Sequence, residues 1–204
     1  MQRSCYLMLS KRIFDLFFVI PGLIVLLPIF ALVALIIKLK DGGNVLFKQT
    51  RVGKNGKHFK VLKFRTMVMN AEQLGDKITT GSDPRITPIG SFLRKYKLDE
   101  LPQLINVLKG EMSLVGPRPE VPEYVEYYPA ETREIVLSVP PGITDKASIE
   151  FVNENELLSD SDDPVSDYKN KVLPVKLAYN VDYVKERSLW MDFSLIFKTV
   201  AAIF

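Results

Sequence analysis

Two adjacent carboxylates, Asp99 and Glu100, open a predicted helix in a stretch crowded with cations. Arg85, Arg94, Lys95 and Lys97 precede them, and Arg118 follows between Pro117 and Pro119. The first turn of a helix has unpaired N–H groups and the positive end of the dipole, a natural seat for phosphate. Two carboxylates there can hold a divalent cation, with Mg²⁺ suited to hard oxygen ligands. One of them can instead attack phosphorus and form an acyl phosphate. The plain structural alternative is capping, with Asp at the N-cap and Glu in the first turn. An arginine between two prolines has a stiff backbone and a fork that grips phosphate at two points, unless the segment is only a surface turn. Lys63 and Arg65, on a predicted strand, either add charge to the same pocket or line a solvated face. Together, carboxylates for a metal and cations for a diphosphate describe phosphoryl transfer.

The rest of the composition narrows the chemistry. His58 is the only histidine of 204 residues, which excludes multi-histidine metal sites within one chain. Cys5 is the only cysteine, so no internal disulfide forms and no oxidising compartment is needed. A net charge of +3 is too small for a nucleic-acid footprint, so no nucleic-acid partner is expected.

The elements that must position these groups are legible in outline. Leu16 to Ile37 holds 22 residues without a charged side chain, roughly 33 Å of helix and enough for a bilayer core. Lys11 and Arg12 precede it and Lys38 and Lys40 follow, so the positive-inside rule chooses no direction. Pro21 and Pro28 each kink or break a helix. Such a run either spans once with a kink or enters and leaves by one face. Asp15 needs a partner in an apolar setting, and Arg12 is near in sequence. Val45–Val52 and His58–Met67 read as strands joined by Asn55-Gly56, a hairpin signal. Asn70–Asp83 reads as a mobile polar loop. Thr87-Pro88 opens a helix to about Tyr96, and a second helix runs from Asp99 to Gly110 with Leu101, Leu104, Ile105 and Leu108 on one face. A last helical region, interrupted by Pro174, covers about Val165 to Arg187, and the apolar Leu189–Phe204 serves either a membrane or a second copy of the chain. The class is α/β, a helix-dominated α+β arrangement.

Leu98-Asp99-Glu100-Leu101-Pro102-Gln103-Leu104, Asn106 through Ser113, and Gly116-Pro117-Arg118-Pro119 resemble the signature of the bacterial sugar transferases, the small monotopic phosphoglycosyl transferases. Lys11-Arg12-x-x-Asp15, Gln49-x-Arg51-x-Gly53, Lys63-Phe64-Arg65-Thr66-Met67, Thr87-x-x-Gly90 and Pro141-Gly142-Ile143-Thr144 match in the same order. The resemblance implies a re-entrant membrane helix over residues 1–40, broken at Pro28, and a cytoplasmic catalytic domain over 41–204 with interfacial amphipathic helices. Family members usually carry Ser before that proline, where this chain has Leu27. It implies location at the cytoplasmic face of the bacterial inner membrane, and Mg²⁺ as cofactor. It implies a ping-pong reaction in which Asp99 attacks the β-phosphate of a UDP-sugar, releases UMP, and passes the sugar phosphate to polyprenol phosphate. Glu100 then assists the metal or the lipid phosphate, while Arg94, Arg118 and Lys63 bind phosphate.

One segment departs from many members. After Pro141-Gly142-Ile143-Thr144 the chain reads Asp145-Lys146-Ala147-Ser148-Ile149, similar to a second branch that also carries Asn153–Leu157 and Leu173-Pro174-Val175-Lys176-Leu177. The departure leaves the sugar unspecified. Two rival readings are a glycosyltransferase that passes only the sugar and releases UDP, and a catalytically inert membrane scaffold.

Overall fold

In the computed structural model, which describes residues 2–71, 83–150 and 163–203, helix α1 (Gln2–Asp41) takes in the whole apolar run and stays helical through Pro21 and Pro28. Its Leu9–Lys40 portion is long and apolar enough to cross a membrane. A narrow stripe of α1 is buried: Asp15, Val19, Val33 and Ile37. Phe17, Ile24, Val25, Leu32 and Leu35 are exposed around it. The stripe meets the rest of the protein on both sides of Pro28. Val19 and Leu23 pack with Val61, Val107 and Met112, while Phe30, Val33 and Ile37 pack with Phe64 and Leu93.

Strands β1 (Leu46–Val52) and β2 (His58–Phe64) pair antiparallel, with Leu46 opposite Phe64 and Val52 opposite His58. Asn55 (φ 56°) and Gly56 (φ 75°) turn the hairpin in the left-handed region that Asn-Gly tolerates. Strand β2 ends at Phe64 rather than the expected Met67. Arg65 still donates its N–H to the Val45 carbonyl, and Met67 forms only an isolated bridge with Ile86. Most of the expected loop over Asn70–Asp83 lies outside the described residues, as does Asn153–Leu157.

Helix α2 (Pro88–Lys95) starts as read, with the Thr87 hydroxyl accepting the Gly90 N–H at 3.0 Å. Gly90 is required there, because a Cβ would fall 1.9 Å from the Thr66 carbonyl oxygen. The helix expected from Asp99 is instead two pieces. A 3₁₀ turn covers Leu98–Glu100, and helix α3 runs Gln103–Lys109 before Gly110 (φ 83°) ends it. Pro102 has no N–H to offer the Leu98 carbonyl, so Leu101 bonds it at 3.2 Å in the tighter pattern.

The apolar face read on α3 is not the buried one. Gln103, Asn106 and Val107 are buried, and Leu108 is 43% exposed. Asn106 is stable inside because its amide is satisfied. Its oxygen accepts the Leu62 N–H at 3.0 Å, and its nitrogen donates to the Lys60 carbonyl at 2.8 Å and to Glu111 at 2.7 Å. This clamp fixes β2 against α3.

Strands β3 (Ser113–Val115) and β4 (Gly142–Thr144) form a short parallel pair, Ser113 opposite Gly142. A Cβ on Gly142 would lie 2.1 Å from the Gly116 nitrogen, so the chains approach only because no side chain intervenes. Around this pair lie α4 (Pro122–Val125), α5 (Ala130–Val136), α6 (Lys146–Glu150), α7 (Pro164–Asp167), a π-helical turn (Tyr168–Val172), α8 (Leu173–Glu186) and α9 (Leu189–Ile203). Pro174 sits in the first turn of α8, directly after the π-helical turn. Among the described residues the fold is a helix-dominated α+β arrangement with two short sheets and one long apolar N-terminal helix.

Candidate active site

Glu100 is the hub of a half-buried charge cluster. Its Oε1 accepts Lys63 Nζ at 2.7 Å and Arg118 Nη2 at 2.5 Å, and its Oε2 accepts Arg118 Nη1 at 3.3 Å. Burial alone would raise the Glu100 pKa, but Arg118 and Lys63 outweigh it and hold the carboxyl well below its usual range. Glu100 in turn raises the pKa of Arg118. Lys63 is pulled below its usual value by burial, which the pairing with Glu100 only partly offsets.

Asp99, its neighbour, is in a different state. It is 8% exposed, and among the described residues its carboxylate accepts no hydrogen bond. Burial raises its pKa, Lys63 lowers it, and the nearby Glu100 raises it further. The left-handed Lys97 (φ 53°) and the 3₁₀ turn hold these two carboxylates apart in role: one saturated with cations, one unpaired.

Arg94 reaches this region from the last turn of α2. Its Nε donates to the Thr66 hydroxyl at 2.9 Å, leaving further donors on the guanidinium. Burial lowers its pKa and Asp99 is the largest influence in the opposite direction. Arg118 comes from the turn after β3, and its backbone N–H donates to Asp145 Oδ2 at 3.1 Å. Asp145 Oδ1 accepts the Ser148 N–H at 2.6 Å, so one buried carboxylate fixes both the arginine turn and the start of α6. Behind Arg118, Arg51 bonds the Pro119 carbonyl at 3.1 Å and Glu120 at 3.4 Å, and Glu120 accepts Tyr168 OH at 2.5 Å.

Lys63, Arg94, Asp99, Glu100 and Arg118 therefore converge, as their residue types suggested. Arg65 and Arg85 do not join them. Arg85 is held by Asp83 at 2.6 Å and by the Ala71 carbonyl at 3.1 Å, and Arg65 lines a separate cavity. The positioning roles of Thr66, Asn106 and Asp145 escaped the sequence. Each left a trace all the same: Thr66 and Asn106 stand within the motifs that carry the resemblance, and Asp145 directly follows Gly142-Ile143-Thr144. Arg12, expected to pair with Asp15, instead donates to the Val107 carbonyl and to the Leu108 carbonyl at 2.8 Å, at the C-terminus of α3. Asp15 takes Lys11 at 2.7 Å.

Among the described residues no group of three or more acidic, histidine or cysteine side chains suits a metal. What the site offers a hard cation is the unpaired Asp99 carboxylate, since both oxygens of Glu100 already face cations.

A family model described as "Bacterial sugar transferase" matches residues 6–204. The exopolysaccharide production protein ExoY of Sinorhizobium fredii is 37% identical, over 96% of this chain and 85% of its own length. The undecaprenyl-phosphate glucose phosphotransferase of Komagataeibacter xylinus is 41% identical over 95% of this chain. The UDP-glucose:undecaprenyl-phosphate glucose-1-phosphate transferase of Escherichia coli is 38% identical over 94%. The chain spans only 35% and 39% of the length of these last two.

Proposed function

The chain belongs to the bacterial sugar transferase family, and from that membership we propose that it moves a sugar 1-phosphate from a UDP-sugar to a polyprenol phosphate. The observation that carries the mechanism is the unpaired Asp99 carboxylate beside a Glu100 whose charge is already compensated. An Asp99 oxygen attacks the phosphorus that bears the sugar. The bond from that phosphorus to UMP breaks, and UMP leaves with the electron pair. A phosphate oxygen of the acceptor then attacks the same phosphorus and displaces Asp99, so the carboxylate is regenerated.

The cations have separate tasks in this reading. Arg94, with donors beyond its Thr66 bond, takes phosphate oxygens near Asp99. Lys63 and Arg118 face the same space and are kept there, charged and oriented, by Glu100. Without Glu100 three cations would repel one another around a buried centre. Mg²⁺ suits the remaining need: one Asp99 oxygen together with diphosphate oxygens and water is a ligand set it accepts. When bound it would neutralise charge on the diphosphate.

We place α1 in the cytoplasmic leaflet of the inner membrane as a re-entrant helix, with the rest of the protein on the cytoplasmic face. Supporting this, residues on both sides of Pro28 pack against one body, as do Arg12 near the start of α1 and Ile37 near its end. A spanning helix would carry one of those ends to the opposite face.

A screen of UDP-sugars with a short polyprenol phosphate tests the reaction. Release of UMP, dependent on Asp99, is the expected result. Release of UDP would mean that only the sugar moves, and would overturn the proposal.

A further inference from the structure

Lys63 and Arg65 point the same way along β2 and its extension, yet only Lys63 joins Glu100. Arg65, 9% exposed, lines a cavity of about 210 Å³ between the last turn of α1 and the start of α2. Lys40 is its second cation, and Ile37, Met67, Val68 and Ile89 give it an apolar wall. A drug-sized or nucleotide ligand needs roughly 300–1,000 Å³. This space is smaller, and matches a phosphate with the first part of an apolar chain.

Its position connects two regions already described. On one side is the C-terminal end of α1, where Leu32, Leu35 and Leu39 stand exposed. On the other is Thr66: its carbonyl accepts the N–H of Thr87, a cavity residue, at 2.9 Å, and its hydroxyl accepts Arg94. One residue thus separates the cavity from the guanidinium that faces Asp99.

We propose that this cavity receives the phosphate end of the acceptor lipid, with Lys40 and Arg65 holding the phosphate and the lipid chain leaving along α1 toward the bilayer. The proposal rests on the reading of the chain as a phosphosugar transferase acting on a polyprenol phosphate. It assigns the two substrates to different approaches: the acceptor from the membrane end of α1 past Thr66, the sugar nucleotide from the side of Arg118. Two cations over an apolar wall suit a lipid phosphate better than a free sugar phosphate, which has no apolar part to cover that wall.

The test uses the full chain in phosphatidylcholine–phosphatidylglycerol nanodiscs, photolysed with a short polyprenol phosphate bearing a diazirine on its first isoprenoid unit and no sugar nucleotide. Label is expected in peptides containing residues 37–40, 65–68 and 87–89. It should be competed by unlabelled polyprenol phosphate, not by polyprenol, and fall about tenfold in Lys40→Glu, an exposed position whose exchange spares the core. A second variant, Val68→Trp, should lower labelling by filling the cavity. Labelling confined to other peptides, equal competition by polyprenol or by added phosphatidylglycerol, or full labelling in both variants would each overturn the site. UMP release by the unaltered protein is measured in parallel. If it fails while labelling succeeds, the acceptor site stands and the transfer reaction falls; the reverse result removes the site alone.

Discussion

Both Glu100 oxygens are held by Lys63 and Arg118, while the adjacent Asp99 carboxylate has no hydrogen-bond partner among the described residues, and these environments predict opposite mutational behaviour. Asp99→Asn should cut UMP release by at least on the order of 10³. It should leave the unfolding midpoint unchanged or higher, because burial disfavours the charge that Asn removes. Glu100→Gln should instead lower stability by about 2 kcal/mol, since it takes the charged partner from two half-buried cations, and denaturant melts will read the loss. The pH dependences differ in sign as well. Glu100 is depressed, so its stabilisation is complete above the unfolded value of about 4.3 and is lost as pH falls through the lower folded value. Asp99 is raised, so its stabilising effect exists below the unfolded value and is lost as pH rises through the folded one. The ionised Asp99 is the attacking form, so the acid limb of the rate profile should lie above the usual aspartate value of about 3.9. A rate flat down to that value would remove Asp99 from the nucleophile role.

Elements decide how far those residues can move. The Arg118 turn is held at its backbone by Asp145, and Asp145→Ala leaves the Arg118 and Ser148 N–H groups without that acceptor. A loss of about 1–3 kcal/mol in stability is expected, together with a raised KM for the UDP-sugar and an unchanged KM for the acceptor. Equal shifts of both KM values would show that Asp145 serves the fold generally. For α1, single cysteines at Met8 and Asn44 in a Cys5→Ser background test topology. Both should react with an impermeant maleimide from the cytoplasmic side. Reaction of one from the opposite side would mean that α1 spans. The element boundaries also mark where local reading fails. The hairpin and α2 follow from short-range chemistry: Asn55-Gly56 at positive φ, Thr87 as cap, Pro88 in the first turn. The break between Leu98–Glu100 and α3 follows from Pro102, also local, but an i, i+4 apolar pattern across it masked the break. The parallel pair β3 and β4 had no local signal, because three-residue strands show no alternation and their partner lies about 30 residues away.

At the scale of the whole molecule, the long apolar helix α1 and the C-terminal helix α9 are joined by a buried polar knot. Lys11 pairs with Asp15 at 2.7 Å and Asp192 at 3.2 Å, Tyr183 OH donates to Asp192 at 2.7 Å, and the Leu114 N–H donates to Asp15 at 3.2 Å. Burial raises the Asp192 pKa, against the pull of Lys11. Lys11→Met should therefore destabilise the protein by about 3–5 kcal/mol, because two buried carboxylates lose their shared cation. Adding Asp192→Asn to that variant should recover part of the loss in detergent-solubilised melts; no recovery would mean that Lys11 acts through packing. By itself the sequence determined which chemistry is available and the local elements that carry it. One histidine and one cysteine rule out a multi-histidine metal site and an internal disulfide, an uncharged 22-residue run demands an apolar surrounding, and the order of motifs marks the family. Which acid pairs with which cation was left to the tertiary structure. Asp99 and Glu100 are adjacent in the chain, but only the convergence of β2, the 3₁₀ turn and the Arg118 loop saturates one and leaves the other open. The same holds for Lys63 and Arg65, two residues apart, one delivered to Glu100 and the other to a cavity beside α1, and for Lys11 rather than Arg12 as the partner of Asp15. Pairing energy depends on distance and desolvation across contacts 18 to 181 residues apart, and those are fixed only when the elements pack.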